Sequence, residues 1–204
     1  WSYKKLDFIK KSCSVFDMEA ISKTSKIEKI IKLTLITIVG TILITISAKV
    51  KIPFYPVPMT MQTFVILLIG ITLGYRIGLA TVALYLFEGI IGLPVFASSP
   101  EKGIGMAYFI GPTMGYLIGF LVAVYFAGLF KYDKGLINTF FKLIFSVSFI
   151  YILGLIWLGT LIGWDKPIFK LGAEPFLLAE LFKMLLLLFL TPTLLKAKKL
   201  IKII

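Results

Sequence analysis

Three ionisable residues interrupt stretches that are otherwise apolar: Glu88, Glu180 and Lys183. On insertion scales an acid or a lysine at mid-membrane costs about 2.5–3.5 kcal/mol, so such residues face a cavity or each other. Glu180 and Lys183 stand three apart and therefore share one face of a helix. That spacing suits two roles: a structural ion pair with the lysine reaching toward the interface, or a pair of groups that hold a ligand. Glu88 lies one turn from the outer end of its stretch, where a structural or interfacial role is as open to it as a ligand role. The aromatic residues Tyr85, Phe96, Tyr108, Tyr116, Tyr151 and Trp157 fall near the same outer half. Most suit packing or an interface belt, and one or two suit stacking on a flat ligand.

Catalytic chemistry has little to work with here. The chain has no histidine, which removes the commonest metal ligand and the commonest base near neutral pH. Its one cysteine, Cys13, lies in a polar leading segment outside any apolar stretch. An intramembrane enzyme needs a nucleophile–base pair or metal ligands at depth. No catalytic residue, metal site or cofactor is expected.

The elements that must position these groups follow from composition. Hydrophobic residues make up 59% of the 204, charged residues 16%, and the mean hydropathy is +0.98. Soluble domains sit near 45–50% apolar and about 25% charged. A bilayer core about 30 Å thick takes roughly 20 apolar residues per helix. The pattern predicts an all-α membrane protein, a compact bundle of six transmembrane helices at about 30–48, 60–74, 77–92, 108–130, 136–163 and 175–195. Loops are expected at 93–107 and 164–174, Thr60 as the N-cap of the second span, and Pro112 near the start of the fourth or kinking it. Residues 1–29 and 196–204 read as basic cytoplasmic tails around a 30–195 transmembrane domain. Met18 opens a polar lead of its own, which would leave 1–17 outside the native chain. The first 26 residues are polar, and no cleavable signal peptide is expected.

The formal charge of +12 is concentrated at the ends. Basic tails beside hydrophobic spans set orientation and attract anionic headgroups, so the partner implied is the lipid bilayer and not nucleic acid. With the N-terminus inside, inner segments hold sixteen basic residues and outer segments five. Both termini are therefore expected in the cytoplasm. Two ladders of small residues, Gly70–Gly74–Gly78 and Gly111–Gly115–Gly119–Ala123–Ala127, predict close helix packing within the bundle. The loop from Gly92 to Gly105 is rich in Gly, Ser and Pro, with backbone N–H groups that suit capping a pocket.

Three segments then carry a resemblance. Pro56-Val-Pro-Met-Thr-Met-Gln-Thr-Phe64, Tyr85-Leu-Phe-Glu-Gly-Ile-Ile-Gly-Leu-Pro-Val-Phe-Ala97 and Gly111-Pro-Thr-Met-Gly-Tyr-Leu-Ile-Gly-Phe120 resemble the BioY family, the biotin-binding S components of energy-coupling-factor (ECF) transporters. The resemblance covers about residues 30–195 and implies a six-helix subunit of the cell membrane that captures biotin from outside. It implies as partners a transmembrane T component and two cytoplasmic ATPases, although some members share a T component or work alone. An S component for another vitamin is the competing reading, expected to use different pocket motifs.

The family's last helix resembles Pro-Phe-x-x-Gly-Asp-x-x-Lys, with the acid and lysine lining the pocket. Here it runs Pro175-Phe-Leu-Leu-Ala-Glu-Leu-Phe-Lys183, with Ala179-Glu180 replacing Gly-Asp. Biotin offers two ureido N–H donors, a carbonyl acceptor and a carboxylate on an apolar frame. Gln62, Glu180 and Lys183 supply complementary groups, with Tyr85, Glu88 and Trp157 as further expected contacts. Many S components carry Ala-x-x-x-Ala on helix one to meet the T component. Here Ala48 is the only alanine in that helix, and the nearest equivalents are Thr37, Thr41 and Thr45.

Overall fold

The structure is a computed structural model that describes the backbone of residues 2–53, 59–133 and 135–201, and side chains between Ser25 and Lys196 within those stretches. Residues 54–58, which include the Pro56–Pro58 start of the first motif, Lys134, the side chains of 1–24 and those of 197–204 in the basic tail lie outside the described residues.

Among the described residues the elements run α1 (Ser2–Lys49), β1 (Lys51–Ile52), β2 (Met59–Thr60), α2 (Gln62–Ile90), α3 (Gly105–Phe109), α4 (Met114–Leu129), α5 (Gly135–Ile162), α6 (Ile168–Gly172) and α7 (Glu174–Ile201). Four helices are long and apolar enough to cross a membrane: Ser25–Lys49, Gln62–Ile90, Gly135–Ile162 and Glu174–Lys196, with Met114–Leu129 a shorter apolar helix. Packing divides the chain into two units, Trp1–Ile38 and Val39–Ile204. Up to Ile38 the described chain is helix alone, which carries helical backbone well into the segment expected to be a tail.

The second unit is organised around α4. Gly115 and Gly119 face α5 so closely that a Cβ on Gly119 would stand 2.6 Å from the Ile150 Cα, and one on Gly115 would strike the Leu153 carbonyl. Further along the same helix Ala127 and Val124 meet Gly70 of α2, where an added Cβ would come within 2.9 Å of each. In lipid, where the drive to bury apolar surface between helices is lost, this close approach is what holds helices together. Gly70, Gly78, Gly115 and Gly119 are thus spent on packing within the chain, whereas Gly74 has no neighbour where its Cβ would stand and Gly111 lies in the turn before α4.

Helix α2 is broken at Gly74, whose φ of 80° and ψ of 171° no helical residue adopts. A Cβ on Gly78 would lie 3.6 Å from the Gly70 Cα, whereas eight residues of continuous helix span about 12 Å. The chain therefore folds back on itself at Gly74, which is where the sequence places the turn between two short spans.

Other boundaries differ from expectation. Helix α4 begins at Met114 rather than 108, and the turn before it contains Pro112. Proline has no N–H and its ring clashes with the carbonyl four residues back, so α3 stops at Phe109 and stays a separate helix. Thr60 does not cap α2; it pairs with Lys51 in the two-residue β ladder, and the capping position falls to Met61. The expected loop 164–174 contains α6.

Candidate ligand-binding site

A cavity of about 510 Å³ lies among the start of α2, the first half of α4, the second half of α5, the end of α6, the first half of α7 and the 93–105 segment. Its size falls within the ~300–1,000 Å³ usual for small-molecule sites. Most of the wall is apolar or aromatic, including Tyr108, Tyr116, Leu117, Phe120, Ile150, Tyr151 and Phe176. Tyr116 donates its hydroxyl to the Gly172 carbonyl at 2.8 Å and meets the Tyr151 ring edge-on, so the two rings fix each other.

Polar groups converge at one part of this wall. Glu180 and Lys183 project from the same face of α7, and the Lys183 ammonium donates to Glu180 Oε1 at 2.5 Å. Both are buried, 4% and 6% exposed. Thr63, in the first turn of α2, completes the group. Its hydroxyl donates to the Glu180 carboxylate, 2.8 and 3.1 Å from the two oxygens, and accepts from Lys183 Nζ at 2.9 Å. A carboxylate only accepts and an ammonium only donates, so a hydroxyl between them satisfies both. The charges cancel inside a low-dielectric wall, and each group keeps further bonding capacity for a ligand.

Gln62 lines the cavity beside Thr63 and is buried. Its Nε2 donates to the Tyr85 hydroxyl at 2.8 Å, which in turn donates to the Val95 carbonyl at 3.1 Å. Tyr85 thus stands behind the wall, tying Gln62 to the 93–105 segment. That segment is held down by its own core: Phe96 packs edge-on to Tyr85 and stacks on Tyr108 at 5.1 Å. Gly89 leaves room for the Phe96 ring, which any Cβ there would overlap. From the end of α1, Lys49 donates to the Phe96 carbonyl at 2.7 Å, the Ser99 hydroxyl at 3.1 Å and the Ser99 carbonyl.

Of the residues named on the sequence, Gln62, Glu180 and Lys183 are brought together on the cavity wall. Tyr85, Glu88 and Trp157 are not part of its lining. Glu88 accepts a bond from Thr41 at 3.1 Å, and the Trp157 indole donates to the Gly111 carbonyl at 2.9 Å, which joins α5 to the turn before α4. Thr41 is itself buried at 2% exposed, while the Thr45 and Thr37 hydroxyls bond back to the carbonyls of Thr41 and Leu33. Thr63 was not singled out from the sequence. Its only signal was its place next to Gln62 in the first motif, and adjacency along the chain does not say which side chain turns toward α7.

A membrane-spanning helical bundle that closes an aromatic cavity around one compact polar cluster is built to hold a small, mostly apolar molecule with a few polar groups. The chain belongs to the BioY family, whose pattern matches residues 18–200. It is 34% identical over 141 residues to the probable biotin transporter BioY of Pyrococcus horikoshii, covering 69% of this chain and 82% of that protein. To the biotin transporter BioY of Thermotoga maritima it is also 34% identical, over 71% of this chain and 84% of the relative. Among solved structures it is similar to the S-component for biotin from an ECF-type ABC transporter, with a TM-score of 0.66 and 26% identity, covering 81% of this chain and 92% of that one.

Proposed function

We propose that this protein is a membrane-embedded biotin-binding S component that takes part in biotin uptake through an ECF-type transporter. The observation that carries this reading is the buried Thr63–Glu180–Lys183 cluster on the wall of the cavity, in a chain of the BioY family. Biotin's ureido ring carries two N–H donors and one carbonyl. The Glu180 carboxylate accepts the donors, the Lys183 ammonium donates to the carbonyl, and Gln62 supplements either. Tyr116, Tyr151 and Phe120 take the apolar frame. Glu180 is one methylene longer than the family aspartate, and Thr63 holds both its oxygens, a bond that fixes where the longer carboxylate ends. Tyr85 acts indirectly, through Gln62. Glu88 and Trp157 hold the frame around the site.

The chain works in the cell membrane with six crossings and both termini in the cytoplasm. The fold-back at Gly74 supports counting α2 as two crossings, and the basic residues, sixteen against five, support the orientation. A T component and two ATPases supply the energy for release inside. Helix α1 meets the T component beside Thr37 and Thr45, while Thr41 braces that stretch from within through Glu88. Equilibrium binding of a panel of vitamins to the purified protein tests the reading. Biotin should bind far more tightly than riboflavin or thiamine, and capture of one of those in its place would refute it.

A further inference from the structure

Among the described residues three charged ones line the cavity: Glu180, Lys183 and Lys102. The first two neutralise each other at 2.5 Å. Lys102 has no such counterpart. Among the described residues its ammonium forms no ion pair, and the neighbouring Glu101 is engaged instead with Lys51 at 3.8 Å. The lining therefore carries a net charge of +1, placed on an exposed side chain rather than in the buried cluster.

The base of that side chain is fixed. The Lys102 backbone N–H bonds to the Ser98 carbonyl at 2.8 Å, and that of Gly103 to the Pro100 carbonyl at 2.9 Å. Lys49 clamps the start of the same turn at Phe96 and Ser99. A cavity-lining lysine on an anchored turn, whose ammonium forms no ion pair among the described residues, can close on an anionic end of a ligand whose other polar groups reach the buried cluster.

We infer that Lys102 is a specificity-determining residue that recognises the carboxylate of the ligand, so that the site selects a monoanionic acid over its neutral derivatives. This rests on the biotin reading, in which the ureido ring occupies the Glu180–Lys183 cluster and the valerate carboxylate is the charge left to be matched. Lysine is suited to the task as a mobile point charge that follows a flexible chain. Because it is exposed, its contribution is screened by salt.

The test compares biotin with biotin primary amide, which has nearly the same shape and no charge, on wild type, Lys102→Gln and Lys102→Arg. Dissociation constants are measured on purified protein at neutral pH in low and high salt. Wild type should prefer the acid roughly tenfold to a hundredfold, the range for a hydrogen bond to a charged group. Lys102→Gln should bind the acid as weakly as the amide and leave amide affinity unchanged. Lys102→Arg should keep the preference, and salt should weaken acid binding alone. Equal weakening of both ligands in Lys102→Gln would make the residue structural and overturn the inference. So would a wild type that binds acid and amide alike, while leaving the biotin reading intact. A wild type that binds neither would sink the biotin reading and this inference with it.

Discussion

Glu180 and Lys183 are each costly to bury alone, and the structure shows how they are made tolerable. Thr63 donates to the acid and accepts from the base, so three side chains from two helices form one neutral, bonded group. Two outcomes follow at this scale. Removing either charge leaves the other buried without its partner, at about 3–5 kcal/mol. Lys183→Met and Glu180→Gln should therefore each melt well below wild type, and the double variant should recover most of the loss while still failing to bind biotin. Melting temperatures in detergent check this, and single variants as stable as wild type would mean that the two charges do not support each other. Thr63→Val keeps the shape and removes only the hydroxyl. It should fold, and should weaken biotin binding by about 1–3 kcal/mol, as a lost bond to charged groups does. Unchanged affinity would show that Thr63 does not help to set the carboxylate.

Between α4 and its neighbours the margin is a single carbon atom. Gly115 faces the Leu153 carbonyl and the Trp157 Cβ, where no side chain fits. The same contact places Tyr116 and Phe120 on the cavity wall together with Ile150, Tyr151 and Leu158 of α5. Gly115→Leu should push α4 away from α5 and abolish a monodisperse, folded product, since interior helix positions in lipid depend on backbone approach. Size-exclusion profile and melting temperature read the result. Wild-type behaviour would mean that the two helices separate without cost. Lys49 shows a second kind of element-level control, because it ties the end of α1 to the segment that roofs the cavity. The Gln62–Tyr85–Val95 chain does the same from α2.

For the molecule as a whole, orientation is the testable property. In a background with Cys13 replaced by Ser, cysteines at Glu101 and Lys166 should react with an impermeant thiol reagent added to intact cells. Cysteines at Lys131 and Lys196 should react only after the membrane is opened. All four positions are exposed, so failure to label reports sidedness and not burial. Inverted labelling would overturn the assignment of both termini to the cytoplasm. On the proposed orientation, the same labelling would put Lys102 and the 93–105 segment on the outer side, where a ligand taken up from the medium would arrive.

Membership of a helical membrane class was legible in the sequence because hydrocarbon imposes it: apolar runs of the needed length have few other uses. The glycine ladders likewise announced close packing, since small residues at every fourth position serve little else in lipid. Glu88, Glu180 and Lys183 stood out because ionisable groups are expensive at that depth, and Gln62 through the first of the motifs that resemble the family. Helix ends were less legible. Pro112 was seen, but only the separate α3 showed that the chain stops before it, and Thr60 was drawn into a β pair that depends on Lys51, nine residues earlier. The partners of each polar group were hidden altogether. Thr63 meets residues 117 and 120 positions away, and Thr41 turns inward to a glutamate on α2. A side chain's cost can be judged from its own type and neighbours along the chain, but its partner depends on how helices from distant segments are rotated against one another, and only the tertiary fold decides that.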